Sequence, residues 1–217
     1  MFVRFLQVFG LILFYMLVLA AILFLVILWA GDDATLILGM TLVMLVLSIA
    51  AFIPYLDWVT KRVFRFPGEG DAVSGAELRA AILAINQFDV PVMVEDREDR
   101  LVATWKYVDA RWWELLAKAG LTKTYELHMK LDDAQHLVTL IDVNKSVSWG
   151  AGPTGVRLRG GFFRGVIWAY EIGKAWGIKD SFHPGKIYDY RFVPQEIKMP
   201  IMNSILRRGW DVRFGMW

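Results

Sequence analysis

Apolar and polar positions divide this chain into two regimes. From Phe5 to Ala30 no side chain is charged, Gly31-Asp32-Asp33 interrupts the run, and a second uncharged stretch extends from Ala34 to Leu56. A hydrocarbon core about 30 Å thick needs roughly 20 apolar residues at 1.5 Å each, so both runs are long enough to cross it. The first holds 18 Leu, Ile, Val and Phe residues, each favouring insertion by about 0.3–0.6 kcal/mol near the bilayer centre. A cleaved signal peptide would have a shorter apolar region and no second span so close behind. The pattern predicts a transmembrane hairpin over residues 1–60, with spans of about 5–30 and 34–56.

The short connection makes the two helices antiparallel neighbours. Arg4 precedes the first span and Lys61, Arg62 and Arg65 follow the second, while the loop between them has no basic residue. The excess of basic residues on one side places both termini and the remaining chain in the cytoplasm, as expected for a bacterial inner membrane. Trp29 at one end of the hairpin, and Tyr55 and Trp58 at the other, are expected at the headgroup level together with Lys61, Arg62 and Arg65. Pro54 predicts a kink at the exit of the second span. Gly10, Gly39, Thr41 and Ser48 are the small or hydroxylated residues available for close helix contact. Neither span has a charged side chain, which opposes an ion path formed by this chain alone.

After the hairpin, residues 61–70 read as a short stalk, with Phe64 and Phe66 lying against the interface. Residues 71–217 then change periodicity several times. Ser74 with Glu77 makes a capping box, and Leu78, Ala81, Ile82 and Ile85 share a helical face before Pro91. Val92 and Val94 alternate, as do Leu101, Ala103, Trp105 and Tyr107, with the charged tip Glu95 to Arg100 between them, which predicts a hairpin. Asp109 to Gly120 reads as a second helix. Period-two alternation from Tyr125 to Leu131, from Leu137 to Val143 and at Val147 and Trp149 predicts an antiparallel meander. Val156 with Leu158, and Tyr188 with Tyr190 and Phe192, add half-buried strands. A last helix is expected over Met199–Arg208, with Pro200 in its first turn and Gly209 ending it. The fold class is therefore α+β: a two-helix hairpin followed by a mainly antiparallel sheet with about three helices. The stretch from Gly160 to Gly177 fits a strand pair or an interfacial segment.

Composition narrows the chemistry. There is no cysteine, which excludes disulfides, thiolate metal sites and cysteine nucleophiles. A net charge of +2 has no nucleic-acid signature. Gly150-Ala151-Gly152-Pro153-Thr154-Gly155 matches the glycine spacing of a phosphate cradle. However, a strand-like alternation follows where a helix should open. Gly150, Gly152 and Gly155 are thus first a turn, and with Arg157 and Arg159 only a candidate ligand site.

His128 and His136 flank the turn at Asp132-Asp133 and could approach each other as metal ligands, although exposed hairpin histidines are the ordinary meaning of such a pattern. His183, in a Pro/Gly loop, is the strongest acid/base candidate. Nine of the ten tryptophans lie from Trp58 onward, and core packing is the simplest use for them. No cofactor is implied, and no catalytic motif makes the chain an enzyme. The expected partners are the lipid bilayer and a protein or membrane complex. The functional expectation is a membrane-anchored binding or scaffold module; its competitor is a membrane-associated enzyme or sensor for a lipid-derived or amphipathic ligand.

Overall fold

The computed structural model describes residues 2–88, 90–106, 123–148, 157–165 and 194–217. The chain forms two compact units, Met1–Phe64 and Arg65–Trp217.

The first unit is a pair of helices, α1 (Phe2–Ala30) and α2 (Ala34–Val63), both long and apolar enough to cross a membrane. Gly31 turns the chain at φ +59°, a conformation that costs a glycine little. Asp33 caps α2, its carboxylate accepting the Leu36 N–H at 3.0 Å. The second helix does not stop near Leu56. It continues through Pro54 to Val63, because a proline removes only one backbone bond and the flanking turns remain helical. Residues 61–63 of the expected stalk are therefore helix.

The small residues are not what joins the helices. A Cβ at Gly10 or Gly39 would meet nothing within 4 Å. The Thr41 and Ser48 hydroxyls donate to Ile37 and Leu45 carbonyls of their own helix. Two tyrosines bridge instead. The Tyr15 hydroxyl donates to the Ser48 carbonyl at 2.7 Å and the Tyr55 hydroxyl to the Leu11 carbonyl at 2.6 Å. Their rings stack at 4.9 Å, with Phe52 beside Tyr15 and Trp58 beside Tyr55.

Among the described residues the second unit holds a seven-stranded mixed sheet: β1 (Arg65–Phe66), β2 (Val92–Arg97), β3 (Arg100–Trp105), β4 (Lys123–Asp132), β5 (Leu137–Ser148), β6 (Arg157–Gly165) and β7 (Asp211–Phe214). Its order is β1-β7-β5-β4-β3-β2, with β6 also on β5. Strands β2 and β3 are the expected hairpin, and β4 and β5 are antiparallel neighbours as the expected meander requires, but Val147 belongs to β5 itself rather than to a further strand. The charged tip is shorter than its sequence suggests, because Glu95, Asp96, Arg97 and Arg100 are paired in strands and only Glu98-Asp99 turns. The long strand β5 has two neighbours in succession on one edge. Leu137 to Leu140 pair in parallel with β7, and Asp142 to Ser148 pair antiparallel with β6. Gly160 to Gly165 thus belong to a strand.

Helix α3 (Gly75–Leu83), extended by a 3-10 turn (Ala84–Gln87), and helix α4 (Gln195–Leu206) complete the described elements. Ser74 caps α3 as its capping box predicts, accepting the Glu77 N–H at 3.3 Å. Helix α4 begins four residues earlier than Met199, after Pro194. Pro200 is consequently its sixth residue, a buried one, rather than part of its first turn. Its end follows the glycine rule. Gly209, at φ +76°, donates to the Leu206 carbonyl while the Trp210 N–H reaches Ile205 at 3.4 Å, the paired bonds of a Schellman stop.

Leu78 and Ile82 of α3 and Ile197, Ile201 and Ile205 of α4 are fully buried, as are Val92, Leu101, Ala103, Leu127 and Met129 of the sheet. Each large aliphatic side chain buried there is worth roughly 1.5–3 kcal/mol. Residues 65–70 of the expected stalk, and the chain up to Val73, are stitched to residues 206–213. Arg65 and Phe66 pair with Arg213 and Val212; the Glu69 N–H donates to Leu206 and the Val73 N–H to Arg208. The Trp210 indole donates to the Val73 carbonyl at 2.7 Å. Phe66 lies against Phe214, with centroids 5.4 Å apart, which corrects its expected place at a lipid interface. The expected helix over 109–120 and the strand at 188–192 lie outside the described residues.

Candidate functional site

Strand β4 builds two polar groups, one on each face of the sheet, because alternate residues point in opposite directions. Tyr125, Leu127 and Met129 share one face, and Thr124, Glu126 and His128 the other.

On the first face Tyr125 and Asp142 meet. Asp142 is paired in register with Leu127 and so faces the same way. The Tyr125 hydroxyl donates to one carboxylate oxygen at 2.6 Å and the Lys198 ammonium of α4 to the other at 2.5 Å. The same ammonium lies 4.7 Å from the centroid of Phe214. The Lys198 and Asp142 side chains are only 7% and 3% exposed. A charge so deeply placed must be paired, and here one carboxylate answers a cation and a phenol at once. This cluster ties α4 to β4, β5 and β7. Its amine is committed to the Asp142 carboxylate.

On the second face Glu126 and His128 lie two residues apart on one strand, with Nε2 2.7 Å from Oε2. Both are buried, at 9% and 7% exposure. Their cross-strand neighbours in register are Thr104 and Val143 for Glu126, and Val102 and Ile141 for His128. The Thr104 hydroxyl is committed to the Tyr125 carbonyl at 2.8 Å. An ionised carboxylate can only accept, so the shared proton belongs to Nε2, and in the neutral ring Nδ1 presents a lone pair. Nδ1 is buried and has no hydrogen-bond partner among the described residues. A carboxylate that fixes one imidazole nitrogen and leaves the other available is the arrangement by which histidines are aimed at ligands, metals or protons.

No protein family, curated protein or solved structure matches this chain. The site is therefore defined by its geometry alone.

His128 and His136 stand in different surroundings. His136 sits in the turn at φ +45°, edge-on to Trp210 with centroids 5.3 Å apart, while His128 is inside the sheet with Glu126. Among the described residues no three His, Asp or Glu side chains gather to hold an ion. The expectation of exposed histidines fails for His128, because its strand position falls in phase with buried Ile141 and Val102. Arg157 and Arg159 lie on β6 opposite Ser148 and Ser146, so a strand does follow the glycine-rich segment. Gly150, Gly152, Gly155 and His183 lie outside the described residues.

Of the expected interface residues, Trp29, Trp58 and Arg62 are exposed on the helix surfaces. Lys61 bonds Asp57 at 2.5 Å, one turn away. Tyr55 turns its hydroxyl toward α1. Arg65 belongs to the sheet edge, where it holds Asp211 at 2.7 Å. Burial raises the Asp211 pKa, but the Gly68 N–H and the Arg65 guanidinium outweigh it and hold the carboxyl below its ordinary range.

Proposed function

We propose that this chain is a membrane-anchored module. Its hairpin spans a bacterial inner membrane with both termini in the cytoplasm, and its α+β unit binds a protein partner there, in the manner of a scaffold or a subunit of a membrane complex. The observation that carries this reading is the inside-out character of the hairpin. Phe9, Phe14, Leu17, Leu25, Leu42 and Val46 are exposed, whereas Tyr15, Tyr55, Thr41 and Ser48 satisfy their hydroxyls against backbone carbonyls. In water such a surface is an aggregation liability, and in lipid it is the requirement. Arg4, Lys61 and Arg62 at one end, against Asp32 and Asp33 at the other, support the orientation.

One residue, Phe64, separates the last residue of α2 from the first of β1. A tether that short raises the effective concentration of the module for partners at the same surface. Native mass spectrometry of the intact chain, released from its own membrane in mild detergent, tests this. A stoichiometric protein companion supports the scaffold; a bound lipid or small molecule without one overturns it.

The second outcome would favour a ligand sensor or enzyme for a lipid-derived or amphipathic molecule. The specific observation behind that reading is the buried Glu126–His128 pair, which no packing need explains, since two apolar residues would fill the same face without a desolvation cost.

A further inference from the structure

We infer that His128 is the acceptor of a ligand site on the second face of the sheet, and that this site takes an apolar molecule bearing a neutral hydroxyl group. The inference deepens the ligand-sensing alternative of the preceding section and rests on it. The ligand class follows from the atoms present. Glu126 occupies Nε2 at 2.7 Å, which fixes the plane of the imidazole and leaves Nδ1 buried and without a partner among the described residues. The Thr104 hydroxyl is already given to Tyr125. Val102, Ile141 and Val143, all buried, form the apolar surround.

The complement of a lone acceptor in such a surround is a single hydrogen-bond donor on an apolar body. An ionised carboxylate has no proton to give to Nδ1. A divalent cation needs three or more protein ligands, and among the described residues no three His, Asp or Glu side chains gather there. A neutral alcohol satisfies Nδ1 without introducing charge. It removes the cost that an orphaned buried acceptor otherwise imposes on the folded state. Glu126 is then a positioning residue, holding the proton on Nε2 so that the lone pair stays on Nδ1. The same chemistry is offered by a free long-chain alcohol and by the glycerol hydroxyl of a diacylglycerol.

The test uses the full chain with ¹⁵N-labelled histidine in lipid nanodiscs, titrated with 1-decanol, with 1,2-dioctanoylglycerol and with methyl decyl ether, which has the apolar body but no donor. The expected result is an upfield shift of the His128 Nδ1 resonance with an alcohol and none with the ether, and binding of the alcohol about 10- to 100-fold tighter than the ether. A response to the diacylglycerol at the lower mole fraction assigns the lipid as the source; a response to decanol alone assigns the free alcohol. The His128→Gln variant keeps a donor toward Glu126 and loses Nδ1. It should remain folded by tryptophan fluorescence and abolish the preference for alcohol over ether. If that variant unfolds, the wild-type nitrogen shifts decide alone. Equal binding of ether and alcohol with Nδ1 unmoved overturns the hydroxyl site while leaving a ligand-binding domain standing. No binding of any of the three overturns the site, and native mass spectrometry then reports separately whether any other small molecule is bound.

Discussion

Replacing Lys198 by Met should be the most damaging single substitution in α4. The methionine keeps most of the stem volume but strips the ammonium that faces Asp142, whose side chain is 3% exposed. It also removes the 2.5 Å bond from Nζ to Oδ2 and the cation over Phe214. Removing one partner of a buried pair costs about 3–5 kcal/mol, because the remaining charge stays desolvated. At roughly 2–4 °C per kcal/mol for a domain of this size, the melting midpoint should fall by about 6–20 °C.

The double variant Asp142→Asn/Lys198→Met tests the cause. The asparagine side chain would still accept from the Tyr125 hydroxyl, which lies 2.6 Å from Oδ1 of Asp142, and neither ion of the pair would remain. Most of the loss should be recovered, with a coupling of at least about 2 kcal/mol in the double-mutant cycle. The assay is thermal unfolding of the full chain in nanodiscs, followed by tryptophan fluorescence. A single variant melting within about 2 °C of the parent, or a double variant as unstable as the sum of the singles, would refute the claim that a buried ion pair ties α4 to the sheet.

Three further outcomes follow from the same geometry. Gly209→Ala should destabilise by more than about 1 kcal/mol, since φ is +76° and the new Cβ would lie 2.4 Å from the Asp71 carbonyl carbon; Arg207→Ala, an exposed change close by, should stay within about 0.5 kcal/mol in the same urea titration. Asn86→Ala removes the side-chain amide that bonds both the N–H and the carbonyl of Val94, at 2.8 and 2.7 Å, on the edge of β2 away from β3. An unblocked edge invites strand addition, so sedimentation velocity should show increased self-association. Asp211 titrates below its unfolded value of about 3.9, so its contribution is complete above about pH 4 and is lost as pH falls through the folded pKa. The Asp211→Asn variant should therefore lose stability at neutral pH and show a flatter acid limb when stability is followed from neutral into strongly acidic buffer.

Where one local signal governs an element, the sequence reveals it. The hairpin is read from uncharged length alone, Ser74 and Gly209 mark a helix start and a helix end, and strict alternation gives β2 to β5. What escapes is set by pairing across long sequence separation. Asp211 to Phe214 are four residues with ordinary alternation, and nothing local says that they run parallel to Leu137 to Leu140 or that Arg65 and Phe66 flank them. Pro200 misleads for a related reason. Proline favours a first turn, but a buried proline inside α4 gives up one N–H bond while adding apolar surface to the core.

The polar clusters were half legible. Asp142 is in phase with Leu140, and Glu126 and His128 are in phase with each other across an apolar strand, so buried acids and an acid–histidine pair could be read from period two. Lys198 gives no such warning, because it stands beside the Ile197, Ile201 and Ile205 stripe and its partner is 56 residues away. Tyr55 reads as an interface tyrosine in sequence, and Tyr15, in the middle of its span, carries no signal of a partner. Only the partner helix reveals that Tyr15 and Tyr55 are cross-links.

The proposal of a membrane-anchored, cytoplasm-facing module is tested most directly by cysteine accessibility, for which the chain is already suited because it has no cysteine of its own. Asp32→Cys in the hairpin turn and Glu69→Cys beyond the second helix are both at exposed positions, and each is probed with a membrane-impermeant maleimide on intact cells and on inverted membrane vesicles. For a cytoplasm-facing anchored module, the Asp32→Cys variant labels only from outside the cell and the Glu69→Cys variant only in inverted vesicles, with the protein resisting carbonate extraction. Labelling of both sites from the same side, or release of the chain by carbonate, would contradict it.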